Sequence, residues 1–305
     1  MAFTAADVKN LREMTGVGMM DCKKALTASD GDMDKAVEWL REKGMAASAK
    51  KAGRIAAEGM AFATVVDGVG VVVEVNAETD FVGKNEKFVD FVKGVAATVA
   101  KENPADMDAL MACKYNGTDL TVEQQQQEMV LVIGENIKVR RFAFFTEGVS
   151  VPYIHAGGKI GVLVNLETDL PAEKVEEVGK DVAMQIAALN PRFWDKAQVT
   201  EDVLAEEKKI MMVQMENDPK MANKPEQVRE KIVMGKLNKF YAENCLLQQE
   251  FVKDNSMSIE KYIASAAKAL GGTITFKNAV RFEKGEGIEK KQENFAAEIA
   301  SMVKG

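Results

Sequence analysis

Two carboxylates, Glu78 and Asp80, stand two residues apart in the stretch NAETDFVGKN, from Asn76 to Asn85. At alternate positions of an ending strand they would project to one side. That is the start of an acid–base pair or of a divalent-cation site. A cation of that kind wants more oxygen ligands than two side chains bring. The single histidine, His155, has no nucleophile–base partner that can be nominated from the sequence. Gly68-Val69-Gly70 has the look of half a dinucleotide fingerprint, but it sits in a hairpin turn rather than between a strand and a helix. No GxxxxGK[ST] occurs. Cys22, Cys113 and Cys245 form no CxxC pair and are odd in number, against both a zinc site and a disulfide framework. Covalent and metal chemistry therefore have little to work with. What stands out is Phe81, a large ring directly after Asp80, where a strand gives way to a loop. Such a ring either tucks into its own core or enters a partner's. Asp80 either caps the helix that follows or meets the partner.

The element before this loop is read from GMAFATVVDGVGVVVEVNAETD, two alternating runs around Asp67-Gly68, a strong two-residue hairpin signal. A helix over about 86–100 and a strand over 137–145 follow. The plan then recurs. GVGVVVEVNAETDF compares with GGKIGVLVNLETDL, and Thr79 matches Thr168 at an offset of 168 − 79 = 89. Glu78 and Asp80 match Glu167 and Asp169 at that offset, which suggests a shared structural job. Ile137 and Phe145 match Ile274 and Phe282 at an offset of 137. The second copy thus carries an insertion. The copies differ after the shared acid: Asp80-Phe81-Val82-Gly83 in the first, Asp169-Leu170-Pro171 in the second. A ring that only plugged a core would be expected in both.

The spacing predicts an α+β chain. Residues 1–55 form three short helices: one capped by Thr4 with Val8, Leu11 and Met14 inward; one over 19–28 with Cys22, Ala25 and Leu26 inward; one over 33–43 with Ala36, Val37 and Leu40 inward. Residues 56–147 and 148–285 are two β-hairpin–helix–strand subdomains. An antiparallel helical hairpin, with helices over 203–215 and 228–247, is inserted in the second at about 196–262. Residues 286–305 form a C-terminal helical module, with its helix over 294–303. Methionines number 18, several of them on the insertion (Met211, Met212, Met215, Met221, Met234), either as adaptable core filling or as a partner surface.

Composition limits the function classes. The chain has 305 residues, 47% hydrophobic, enough for about two cores. Forty basic residues against 47 acidic ones give a formal net charge of -7, which argues against nucleic acid as the main ligand. No apolar run approaches the ~18 residues of a membrane span, and the start lacks a signal-peptide pattern. A cytoplasmic protein is expected, with no membrane partner.

LREMTGVGMMDCKKAL, NAETDFVGKN, HAGGKIGVLV, GENIKVRR and RFEKGEGIEK, in this order from about residue 5 to 303, resemble the bacterial translation elongation factor Ts family. The resemblance implies a guanine nucleotide exchange factor for elongation factor Tu, without covalent chemistry or a cofactor. It implies a ubiquitin-associated-like N-terminal module and two related α+β subdomains. It also implies a coiled-coil-like hairpin through which some members form homodimers. The family's TDFV element falls on Thr79, Asp80, Phe81 and Val82, and would enter the GTPase and dislodge Mg²⁺. Arg12, Met19 and Met20 take N-terminal contact positions. His155 would meet a more distant domain of the partner, with Lys159 where the family often has Arg. Two rivals remain: a scaffold binding peptides through its helical module, and a metal enzyme using Glu78 and Asp80.

Overall fold

The computed structural model describes residues 3–218 and 224–289. Met221 and the C-terminal helix expected over 294–303 lie outside them. Within the described residues the chain alternates helices with three small sheets, an α+β architecture.

The first helix, α1 (Ala5–Thr15), starts in a reciprocal cap between Thr4 and Asp7 and ends at Gly16, whose φ of 68° makes the left-handed turn. α2 (Met19–Ala28) and α3 (Met33–Lys51) complete a module whose core is Val8, Leu11, Val17, Cys22, Ala25, Leu26, Ala36 and Leu40. Val37 packs on it, partly buried. α3 outlasts its expected length: Gly44, the glycine that marks its expected end, is buried inside the helix instead, where a Cβ would lie 3.2 Å from the Gln127 carbonyl oxygen. Met14, expected inside, is exposed. The face set by Val8 and Leu11 continues to Thr15, two turns after Val8, and leaves Met14 at its edge.

β1 (Glu58–Val66) and β2 (Val69–Ala77) pair antiparallel, with Val66 opposite Val69. The two residues between them, Asp67 and Gly68, have φ of 50° and 85°, the turn whose twist suits two adjacent strands. α4 (Glu86–Glu102) lays Phe88, Phe91, Val92, Val95, Ala96 and Val99 on this hairpin. α5 (Met107–Ala112) and α6 (Val122–Ile133) come next, then β3 (Lys138–Phe145), which completes a sheet of order β1-β2-β3. α3 packs on α6, with Leu131 and Val132 against the helical-module core and an Arg41–Glu128 ion pair at 3.5 Å.

β4 (Val149–His155), β5 (Ile160–Thr168), α7 (Ala172–Leu189), α8 (Glu201–Glu216) and α9 (Glu226–Asn244) follow. The short hairpin β6 (Glu250–Phe251) and β7 (Asp254–Ser258), α10 (Ile259–Leu270) and β8 (Ile274–Glu283) complete the described chain. The second sheet has the order β4-β5-β8. α8 and α9 pack through Met211, Met215, Val233, Leu237 and Phe240, so the methionine question divides: Met211 and Met215 are core, while Met234 is exposed.

The repeat reaches further than the strands. α6 and α10 are both twelve residues long, start after Thr121 and Ser258, and end at left-handed Gly134 and Gly271, each pair 137 apart. Apart from α5 in the first copy and the insertion in the second, each copy is therefore a hairpin, a helix, a second helix and a strand.

By contacts the chain divides into two units. The first holds residues 1–144, 154–161 and 282–305; the second holds 145–153 and 162–281. In the first unit, fully buried Glu74 on β2 binds Arg140, Arg141, the Asn76 amide and the Gly285 N–H. Burial alone would raise this carboxyl. The bonds from Asn76, Gly285, Arg140 and Arg141 outweigh it and hold the carboxyl below its ordinary 4.5. Its contribution to stability is thus present above pH 4.5 and lost as the pH falls below that value. Glu74→Ala should cost about 2–3 kcal/mol, less than a fully buried pair, because both guanidiniums keep some water. Urea unfolding of the variant beside the wild type measures this, and the gap between them should narrow below pH 4.5. A cost under ~0.5 kcal/mol would show the cluster to be idle.

Candidate functional site: an exposed phenylalanine between two clamps

β2 ends at Ala77, and the chain then bends. Glu135, just past the end of α6, accepts hydrogen bonds from the backbone N–H groups of Glu78 and Thr79, both at 3.0 Å. It also accepts one from Thr79 Oγ1 at 2.7 Å. Glu78 returns the contact: its Oε1 accepts from the Asn136 N–H at 2.7 Å and lies 3.4 Å from Arg54 Nη1. Segments 78–79 and 135–136 clasp each other through charge-assisted bonds to backbone.

A second clamp follows. Val82–Lys84 makes one 3₁₀ turn with Val82 buried in the first unit's core. Gly83 lies so close to β1 that a Cβ there would be 2.8 Å from the Gly59 carbonyl oxygen. Asn85 then accepts from the Lys87 and Phe88 N–H groups and starts α4.

Asp80 and Phe81 lie between the clamps. Phe81 is 80% exposed, the most exposed large apolar side chain among the described residues. The Asp80 carboxylate is exposed and has no hydrogen-bond or ion-pair partner among the described residues. Two alternatives that the sequence leaves open are decided here, and one expectation is corrected. Phe81 is not a core plug. Asn85, not Asp80, caps the helix. Glu78 and Asp80 do not share one side, because the strand has already ended: Glu78 turns in toward Asn136 and Asp80 turns out. Among the described residues no three His, Cys, Asp or Glu side chains gather to hold a metal.

The second copy handles the matching residues differently. Asp169 accepts from the Thr273 N–H at 2.6 Å, Thr168 Oγ1 donates to the Thr273 carbonyl, and Leu170 is half-buried. The Thr273 N–H, helped by the Thr273 hydroxyl, holds the Asp169 carboxyl below the usual range. The shared acid therefore has no shared job.

Two of the remaining candidates lie on the helical module with Arg12. Lys87 Nζ donates to the Gly16 carbonyl at 3.1 Å and holds the α1–α2 turn against the start of α4. Met19 and Met20, on the first turn of α2, are 47% and 65% exposed, and Arg12 is exposed on α1. Sequence reasoning missed two features here. Met14 is as exposed as Met20, and Lys23, Lys24 and Thr27 line a shallow groove with Met20. The helical period signals the second, since 20, 23, 24 and 27 share one face. His155 is exposed at the end of β4, whereas Phe81 lies in the loop after β2. Among the described residues no helix is long and apolar enough to cross a membrane.

A profile of the family described as Elongation factor TS matches residues 78–286. That span opens at the clasp residue Glu78 and closes at the segment that binds Arg141. Similarity to individual proteins runs through the whole chain. The protein named Elongation factor Ts from Clostridium perfringens (strain SM101) is 50% identical over 303 residues, covering 98% of each chain. Those of the same name from Trichlorobacter lovleyi and Syntrophotalea carbinolica are 48% and 46% identical, over 99% and 100% of each chain respectively. With identity this high over its full length, the helical module and the Phe81 loop included, the chain belongs to the elongation factor Ts family of bacterial translation elongation factors.

Proposed function

We propose that this protein is the guanine nucleotide exchange factor for elongation factor Tu. It binds the GDP-bound GTPase, dislodges Mg²⁺ and promotes GDP release, so that GTP can bind. The observation that carries the proposal is Phe81, an apolar ring held in water by two clamps. A ring so placed stabilises nothing in its own chain; its burial becomes favourable only inside a partner.

Phe81 enters the nucleotide domain of the GTPase and shifts the elements that hold Mg²⁺ and the phosphates. Mg²⁺ bridges phosphate oxygens to the protein, so its loss removes a large local charge interaction. Asp80, lacking a partner of its own, is free to accept hydrogen bonds from the displaced groups. No bond is made or broken. The factor acts because it binds the nucleotide-free state better, and nucleotide must expel the factor by the same amount.

Weakening GDP binding about ten-thousand-fold requires roughly 5.5 kcal/mol of differential binding. Burying one Phe supplies about 1.5–3 kcal/mol. The remainder must come from other contacts: Arg12, Met19 and Met20 on the helical module, Thr79 and Val82 through their hold on the loop, and His155 elsewhere. The interface is therefore extended, with Phe81 as its hot spot. A peptide-binding scaffold would instead bind through the α2 groove and leave nucleotide release unchanged.

Phe81→Ala should lower the rate of release of a fluorescent GDP analogue from elongation factor Tu by about 100-fold and leave the melting temperature unchanged, given a lost hot spot of ~2–3 kcal/mol. A rate near wild type would exclude the wedge. Chelating Mg²⁺ should speed release from the GTPase alone and so shrink the factor's advantage. An acceleration of equal fold with and without Mg²⁺ would show that its displacement is no part of the action.

A further inference from the structure

We infer that Glu135 is the positioning residue that keeps Phe81 presented to the partner. The inference rests on the exchange-factor reading. Its warrant is an internal comparison that the duplication supplies. Glu135 follows the end of α6 just as Gly272 follows the end of α10, at the same offset of 137. In the first copy the Glu135 carboxylate fills the space beneath the loop and takes up the Glu78 N–H, the Thr79 N–H and the Thr79 hydroxyl. In the second copy that side chain is missing. The loop has settled onto the gap: a Cβ on Gly272 would lie 2.5 Å from Leu170 Cγ and 2.7 Å from Asp169 Oδ1.

The consequences match residue by residue. Leu170, which corresponds to Phe81, is half-buried, whereas Phe81 is 80% exposed. Asp169, which corresponds to Asp80, is engaged by the Thr273 N–H, whereas Asp80 has no partner among the described residues. Without Glu135 the first loop has the same collapsed geometry open to it. The ring would fold down, and the Asp80 carboxylate would replace Glu78 on the Asn136 N–H, the counterpart of the Thr273 N–H that Asp169 takes in the second copy. Glu135 touches neither Mg²⁺ nor nucleotide in this account; it acts through Thr79 and Phe81.

Glutamine can replace most of what Glu135 does. Its single carbonyl oxygen can serve both N–H donors, which share Oε2, and its amide can donate to Thr79 Oγ1. Alanine can do neither. The test is GDP-analogue release from elongation factor Tu, driven by full-length wild type, Glu135→Ala, Glu135→Gln, Phe81→Ala and the Glu135→Ala/Phe81→Ala double variant. Glu135→Ala should slow release at saturating factor by about tenfold or more, and Glu135→Gln should recover to within about threefold of wild type. In the Phe81→Ala background, adding Glu135→Ala should cost nothing further, because the ring it positions is gone.

Hydrogen exchange at the Glu78 and Thr79 amides of the free protein should quicken in Glu135→Ala and not in Glu135→Gln. Equal losses in the two backgrounds would assign Glu135 to general stability or to direct contact and overturn the inference. So would a Glu135→Ala protein as fast as wild type. If wild type itself fails to accelerate release, the exchange reading falls and the positioning role falls with it. If wild type accelerates release and only the Glu135 arms fail, the exchange reading stands alone.

Discussion

Phe81 can stand in water because the backbone on both sides of it is fixed to atoms that cannot move. Before it, the Glu135 carboxylate holds the N–H groups of Glu78 and Thr79. After it, Val82 is buried in the core and Gly83 lies against the Gly59 carbonyl. A loop with only one of these anchors would be drawn inward by the ring itself, since burying a phenylalanine is favourable by about 1.5–3 kcal/mol. The exposed ring is thus kept out by a strongly hydrogen-bonded frame around a two-residue gap. It is also a local conflict between what the residue favours and where it is held, and such conflicts gather at functional sites.

The frame in turn depends on the first sheet and what lies on it. β2 runs from the Asp67-Gly68 turn to the clasp, with Val71, Val73, Val75 and Ala77 buried under α4. Glu74 points from the opposite face of β2, beside Val72 and Asn76, and is equally buried. Its carboxylate, fully removed from water, is acceptable only because Arg140, Arg141, Asn76 and Gly285 surround it. Asn76 is on β2 itself, the arginines are on β3 and Gly285 follows β8, so one buried charge links three stretches far apart in sequence. α6, whose end carries Glu135, packs on α3 of the helical module. The residues that present Phe81 and those that expose Met19 and Met20 are thereby built on one continuous body of the first unit.

Much of this was legible in the sequence. The hairpin around Asp67-Gly68, the start of α4, the three N-terminal helices and the duplication each have a local signal: a turn dipeptide, a cap or a period. α6 was missed because its first half, Val122 to Gln127, is polar. Only the Thr121–Gln124 capping box marks it. α10 was missed for a different reason: it follows directly on the short strand β7, so no loop announces it. The exposure of Phe81 could be framed as an alternative but not decided, because the residue that decides it, Glu135, is 56 positions away from Thr79. The separate fates of Glu78 and Asp80 were hidden for the same reason. Their alternation suggested one shared side, and long-range bonds overrode it: Glu78 accepts from the Asn136 N–H and donates its own N–H to Glu135.

The central claim is that the factor prefers the GTPase without its nucleotide. The most direct test is calorimetric titration of the full-length protein into elongation factor Tu, once nucleotide-free and once saturated with GDP and Mg²⁺. The account predicts that GDP weakens binding of the factor by the same large factor by which the factor weakens binding of GDP, about 10³–10⁴. Equal affinity for the two forms would contradict it, whatever the rate of release, because a protein that binds both states alike cannot shift the balance between them.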